Sequence, residues 1–205
     1  MIKAKFGDRL DGWIHTAFPF LFTRSLNPNL LTLAGAGISV GAAIAFGLGA
    51  FVCGGVLLLA GGFFDLVDGV VARHQGTSTS FGAFLDSTMD RFVDMVVLFG
   101  LVVHYGRAGE VGLVVLVGVV LMASVMTSYA KARAEQTIPV LEGGIFERGE
   151  RVGLLAAGAL FGIMSWALWL LAAGTVFTVA QRFNTAYREL ESLDARAAAG
   201  EHSRS

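Results

Sequence analysis

The sequence predicts an all-α integral membrane protein with six transmembrane helices and an N-terminal amphipathic helix lying along the interface. Three observations carry this reading. The chain is 55% hydrophobic and only 15% charged over 205 residues, too oily for a water-soluble domain. Several apolar runs approach the roughly 20 residues that a membrane-spanning helix requires. The basic residues, placed along those runs, fall almost entirely on one side of the predicted membrane.

Reading apolar runs between polar or glycine-rich breaks gives spans near 29–48, 51–72, 82–104, 110–130, 149–164 and 167–187. The last two are separated only by weak breaks, at Met164-Ser165 and Gly174. With six spans, Lys3, Lys5, Arg9, Arg24, Arg73, Lys131, Arg133, Arg148, Arg151, Arg182, Arg188, Arg196 and Arg204 share one side, Arg107 takes the other, and Arg91 lies within a span. Cytoplasmic loops are enriched in lysine and arginine, so that side is read as the cytoplasm, as in a cell inner (plasma) membrane. Removing the last hairpin would move Arg182, Arg188, Arg196 and Arg204 across, which favours six spans over five.

Residues 1–20 carry Phe6, Leu10, Trp13, Ile14 and Ala17 at helical spacing, the pattern of an interfacial amphipathic anchor and not of a cleaved leader. Residues 1–190 are expected to form one membrane domain, and 191–205 a polar, flexible tail. Cys53 is alone, which leaves no disulfide framework or cysteine metal cluster. Glycine, at 27 residues, is expected to mediate close helix packing at Gly37-x-x-x-Gly41, Gly54-Gly55 and Gly61-Gly62. Trp13, Trp166 and Trp169, with His104 and Tyr105, suit interface belts.

The apolar run FVCGGVLLLAGGFFDLVDGVVAR ends in charge. At about 100° per residue, Asp65, Asp68, Gly69, Ala72 and Arg73 fall within an arc of roughly 140° on one helix face. Gly82, Asp86 and Asp90 follow at spacings of four, within an arc of roughly 80° on the next helix. Two neighbouring helices can therefore present four carboxylates to one cavity. Facing one another beside hydrocarbon, they would repel and largely protonate unless cations held them. Oxygen ligands favour Mg²⁺, Mn²⁺ or Ca²⁺ over zinc, and four acids suit two ions better than one. Two hard ions in turn point to phosphoryl chemistry. Any one of these acids could be a solvated interface charge, and Asp94 beside Arg91 is best read that way; the cluster as a whole is not.

The pattern Asp65-x-x-Asp68-Gly69-x-x-Ala72-Arg73, then eight residues, then Gly82-x-x-x-Asp86-x-x-x-Asp90 resembles the full signature of the CDP-alcohol phosphotransferases. Pro28-Asn29-Leu30-Leu31-Thr32 is similar to that family's entry to the first span, and the six-span layout agrees. The resemblance implies that an acceptor hydroxyl displaces CMP from a CDP-linked alcohol, often CDP-diacylglycerol. It implies that Asp65, Asp68, Asp86 and Asp90 hold two Mg²⁺ or Mn²⁺ ions, with Asp90 also the general base. Pro28, Asn29, Leu30, Leu31, Thr32, Gly69, Arg73, Thr79 and Gly82 would contact the CDP-lipid. It further implies a homodimer in the bilayer, with no nucleic-acid partner.

For the acceptor, Lys131, Arg133, Arg148 and Arg151 concentrate positive charge at the cytoplasmic ends of the fourth and fifth spans and could hold a phosphate. Positive-inside topology and anionic headgroups account for such a cluster equally well. Tyr129-Ala-Lys131-Ala-Arg133-Ala-Glu135 resembles the branch that uses inositol phosphate, which makes a small phosphorylated polyol the expected acceptor and glycerol 3-phosphate the main rival. Two other classes compete: a divalent-cation transporter explains the acids but not Gly69, Ala72, Arg73 and Gly82, and a lipid-binding scaffold would bind CDP-lipid without releasing CMP.

Overall fold

The structure is a computed structural model describing residues 27–74, 76, 79–141 and 143–202, with side chains through Arg196. The interfacial helix expected over residues 1–20 lies outside the described residues. Six α-helices follow in order: α1 Pro28–Gly47, α2 Phe51–His74, α3 Ser80–Arg107, α4 Val111–Ala134, α5 Arg148–Leu160 and α6 Met164–His202. No strand occurs among the described residues.

Each expected span falls on one of these helices. Four are long and apolar enough to cross a membrane: α1, α2, α4 and α6 over Met164–Arg196. The 28-residue α3 has the length, but Asp86, Asp90, Arg91 and Asp94 interrupt its apolar run. The 13 residues of α5 rise only about 20 Å, short of a hydrocarbon core of about 30 Å.

The helices group into two compact units, one within Met1–Gly100 and one within Leu101–Ser205. In the first, α1 buries a stripe of Thr32, Gly35, Ala36, Ser39, Ala42, Ala43 and Phe46, recurring at helical spacing. α2 packs antiparallel to it through glycine. A Cβ on Gly61 would stand 2.2 Å from Ser39 Oγ and 2.9 Å from Gly35 O, and one on Gly54 would enter the Phe46 ring at 2.5 Å. The close approach on α1 uses Gly35 and Ser39, not the expected Gly37 and Gly41. Gly37 has nothing within 4 Å of a Cβ position, and Gly41 meets only Leu57 at 3.7 Å. α3 runs parallel to α1, touching it at Asn29 beside Gly82 and again where Gly100 lies against the Ala43 carbonyl.

The link from α1 to α2 is a short helix stop. Gly49, at φ +80°, lets its own N–H bond Phe46 O at 2.9 Å and the Ala50 N–H bond Ala45 O at 2.8 Å. The same hydrogen-bond pattern ends α3, where Glu110 N–H reaches Tyr105 O, and α5, where Ile163 N–H reaches Gly158 O. The break between the last two helices thus falls at Phe161–Ile163, just before the expected Met164-Ser165, and Gly174 lies inside α6.

In the second unit α6 packs on α4 and α5. Phe146 of the α4–α5 connection seats its ring against Gly174, where a Cβ would be 2.5 Å away, and its N–H bonds Thr178 Oγ1 at 3.1 Å. Residues 191–202, expected as a flexible tail, continue α6 as helix. Leu190 and Leu193 pack there against Ala134, Ile138 and Leu141, and the alanine-rich sequence beyond favours helix.

Gly61→Ala is expected to lower stability by about 1–3 kcal/mol through overpacking against Gly35 O, while Gly37→Ala leaves it unchanged. Thermal unfolding in detergent separates the two, and equal losses would contradict this packing.

Candidate active site

α2 and α3 bring the acids together because each carries them at one-turn spacing. Ligand oxygens of Asp65, Asp68 and Asp86 all lie within 4.8 Å of one another. Asp68 is buried at 4% exposure, while Asp65 and Asp86 are half-buried. Of the four acids expected to meet, three form this cluster. Asp90, half-buried one turn further along α3, lies outside it. Three carboxylates this close, with one out of water, repel strongly unless a cation lies among them. The donor set is all oxygen, which fits a hard divalent ion.

The surrounding residues are placed by local helix chemistry. Asn27 caps α1 by accepting the Asn29 N–H at 3.0 Å, with Pro28 in the first turn. Leu31 packs on Val67, Val70 and Val71 of α2, the residues flanking Asp68. Leu30 points outward at 64% exposure. Thr32, expected at the nucleotide, is buried and donates its hydroxyl to Asp68 Oδ2 at 2.5 Å. Thr79, expected to contact CDP, caps α3: its Oγ1 accepts the Gly82 N–H at 2.9 Å. A Cβ on Gly82 would crowd Thr79 Oγ1 at 3.1 Å and Asn29 Oδ1 at 3.3 Å, so glycine keeps that corner open. A Cβ on Gly69 would meet the Arg73 guanidinium at 3.2 Å, which places this exposed cation beside Gly69.

The basic residues assigned to the acceptor lie in the second unit. Lys131 pairs with Glu135 at 3.8 Å, and exposed Arg133 donates to Gln136. Arg148 is half-buried at the start of α5. Arg151 is buried and donates to Phe146 O at 3.2 Å. The sequence reading used Arg182 only for topology. It is in fact buried at 6% exposure, donating to Thr127 O at 2.5 Å and Gly143 O at 3.2 Å, with Glu147 at 4.0 Å. Its place inside the expected sixth span, 167–187, was the available signal, since a cation there needs partners.

Residues 25–183 match the family model for CDP-alcohol phosphatidyltransferase. The chain belongs to the CDP-alcohol phosphatidyltransferase family. Within that family it is 37% identical over 195 residues to a phosphatidylinositol phosphate synthase of Streptomyces avermitilis, covering 88% of this chain and 80% of the relative. Among solved structures it resembles the phosphatidylinositol phosphate synthase of Mycobacterium tuberculosis in complex with manganese and citrate. There the TM-score is 0.75 and the identity 34%, over 79% of this chain and 83% of that one. The same enzyme with CDP-DAG bound gives a TM-score of 0.74 and 30% identity, over 89% and 94% of the two chains. The family assignment makes this an enzyme transferring phosphate-containing groups, and its long apolar helices make it a membrane protein.

Asp65→Asn and Asp86→Asn are each expected to weaken Mn²⁺ binding by at least roughly tenfold, with Asp94→Asn unchanged. Mn²⁺ titration of the purified protein followed by electron paramagnetic resonance checks this. Loss in Asp94→Asn equal to that in Asp86→Asn would contradict the assignment.

Proposed function

We propose that the chain transfers the phosphatidyl group of CDP-diacylglycerol to a hydroxyl of inositol phosphate, releasing CMP and forming phosphatidylinositol phosphate. The observation that carries this is the three-carboxylate cluster built from the family signature. The identity to phosphatidylinositol phosphate synthases, and the CDP-DAG and manganese named for the solved relative, support the donor, the acceptor and the metal.

In this reading Asp65, Asp68 and Asp86 hold Mg²⁺ or Mn²⁺, with Asp90 contributing to a second ion. Bound divalent ions would neutralise diphosphate oxygens and stabilise the leaving phosphate. Asp90, about one turn from Asp86, accepts the proton of the acceptor hydroxyl. That oxygen forms a bond to the phosphorus carrying diacylglycerol, and the bond from this phosphorus to the CMP oxygen breaks. Arg73 pairs with donor phosphate, Gly69 and Gly82 leave clearance for the nucleotide, and the Pro28–Leu31 turn borders it. Thr79 serves by capping α3. The acceptor's phosphate is held by Lys131, Arg148 and Arg151, with Arg133 at the rim, since arginine binds phosphate oxygens in bidentate fashion.

The membrane arrangement completes the proposal. Six spans, α3 and the short α5 with its flanking residues counted among them, and an interfacial N-terminal helix would set the site at the cytoplasmic face of the plasma membrane. A CDP-lipid requires that position, its tails in the bilayer and its head in water. Residues 1–190 serve as the catalytic membrane region of a homodimer.

CMP release from CDP-diacylglycerol with Mn²⁺ or Mg²⁺ is expected to be fastest with inositol 3-phosphate among inositol 3-phosphate, glycerol 3-phosphate, inositol and serine. Turnover with glycerol 3-phosphate alone would make this a phosphatidylglycerophosphate synthase. Nucleotide-independent metal flux in proteoliposomes without CMP release would make it a divalent-cation transporter. Asp90→Asn is expected to lower CMP release by roughly 10² to 10⁴-fold, and wild-type turnover in that variant would remove Asp90 from the base role.

A further inference from the structure

Thr32 and Asp68 are 36 residues apart, on α1 and α2, at 6% and 4% exposure, and joined by a 2.5 Å hydrogen bond. The Thr32 Oγ1 also lies 3.1 Å from Pro28 O, one turn back in its own helix. A hydroxyl has one proton to give. The Pro28 carbonyl already has a regular partner class in the backbone amide four residues on. The Asp68 oxygen lies at the shorter distance and has no such regular partner in the helix ladder, so the proton goes to Asp68.

We propose that Thr32 is a positioning residue for the metal site. Its hydroxyl fixes the rotation of the Asp68 carboxylate, and with it the oxygen that Asp68 presents to Asp65 and Asp86. Carboxylate χ2 is a broad, shallow torsion, so an aspartate beside two others would otherwise swing away from them when no cation is present. The bond sets that torsion in advance, and the helix packing sets the bond. Leu31 seats on Val67, Val70 and Val71 on either side of Asp68. One turn beyond Thr32, a Cβ on Gly35 would press on Gly61 O at 3.0 Å and Phe64 Cβ at 3.1 Å and lie 3.6 Å from Asp65 N, so glycine lets α1 lie close to the ligand-bearing turn of α2 without a shift. α1 therefore acts on the metal ligand directly and not only as a wall of the nucleotide site. Groups that orient metal ligands from outside typically change metal affinity by roughly ten- to a hundredfold when removed.

The inference rests on Asp65, Asp68 and Asp86 being metal ligands, and the test separates the two claims. Mn²⁺ affinity of the purified full-length protein in detergent, without nucleotide, is measured by electron paramagnetic resonance for wild type, Thr32→Val, Thr32→Ser and Thr32→Ala. Thr32→Val keeps the shape and removes the hydroxyl, and is expected to weaken Mn²⁺ binding by roughly tenfold or more. Thr32→Ala, a second variant without the hydroxyl should valine fail to fold, is expected to do the same. Thr32→Ser is expected to match wild type. Wild-type affinity in folded Thr32→Val or Thr32→Ala overturns the inference, as does a loss in Thr32→Ser equal to that in Thr32→Val. A wild-type chain that binds no Mn²⁺ overturns the metal reading beneath it.

Discussion

The mutual repulsion of three carboxylates, held with oxygens within 4.8 Å at the end of an apolar helix, is the constraint on which the first unit depends. Separate acids at a membrane boundary could each turn to water. Here Asp68 cannot, because α1 covers it and Thr32 holds it. The glycine contacts between α1 and α2 are what allow that cover. Gly35 and Gly61 permit backbones to approach where any side chain would force them apart, and association inside a bilayer relies on such close packing more than on hydrophobic burial. The cost of assembling the acids is thus carried by packing, and a divalent cation offsets it.

The second unit handles charge differently. Arg151 and Arg182 are buried but bonded to loop and helix carbonyls, which removes the penalty of cations in an apolar core and pins the connection between α4 and α5 at the same time. Phe146, locked by its N–H bond to Thr178 and by its ring against Gly174, brings the start of α5 to a fixed place on α6. The C-terminal extension of α6 adds an apolar brace, Leu190 and Leu193 against Ile138 and Leu141. Arg148 and Arg151, in the first turn of α5, therefore follow a braced connection and not a loose loop.

The legible part of this molecule was what lies within one helix. Asp65 with Asp68, and Gly82 with Asp86 and Asp90, share faces by spacing alone, so the acids could be identified from the chain. What spacing does not reveal is which face meets a neighbour. Gly35 with Ser39 and Gly37 with Gly41 both satisfy a four-residue small-residue pattern, and only packing distinguishes them. For the same reason the Thr32–Asp68 bond and the Arg182–Thr127 bond, spanning 36 and 55 residues, were invisible to periodicity. Asp90 was grouped with the other acids because it shares their helix face, while the oxygens that lie within 4.8 Å of one another are those of Asp65, Asp68 and Asp86. Residues 191–205 read as polar and so as a tail, and those described, 191–202, continue α6 as helix.

The most direct measurement is the anomalous difference density of crystals of this protein grown with Mn²⁺ and recorded near the manganese edge. The account predicts a peak among Asp65, Asp68 and Asp86, with Thr32 still bonded to Asp68. A manganese peak away from these carboxylates, or an Asp68 side chain turned out of the cluster with the ion bound, would contradict it.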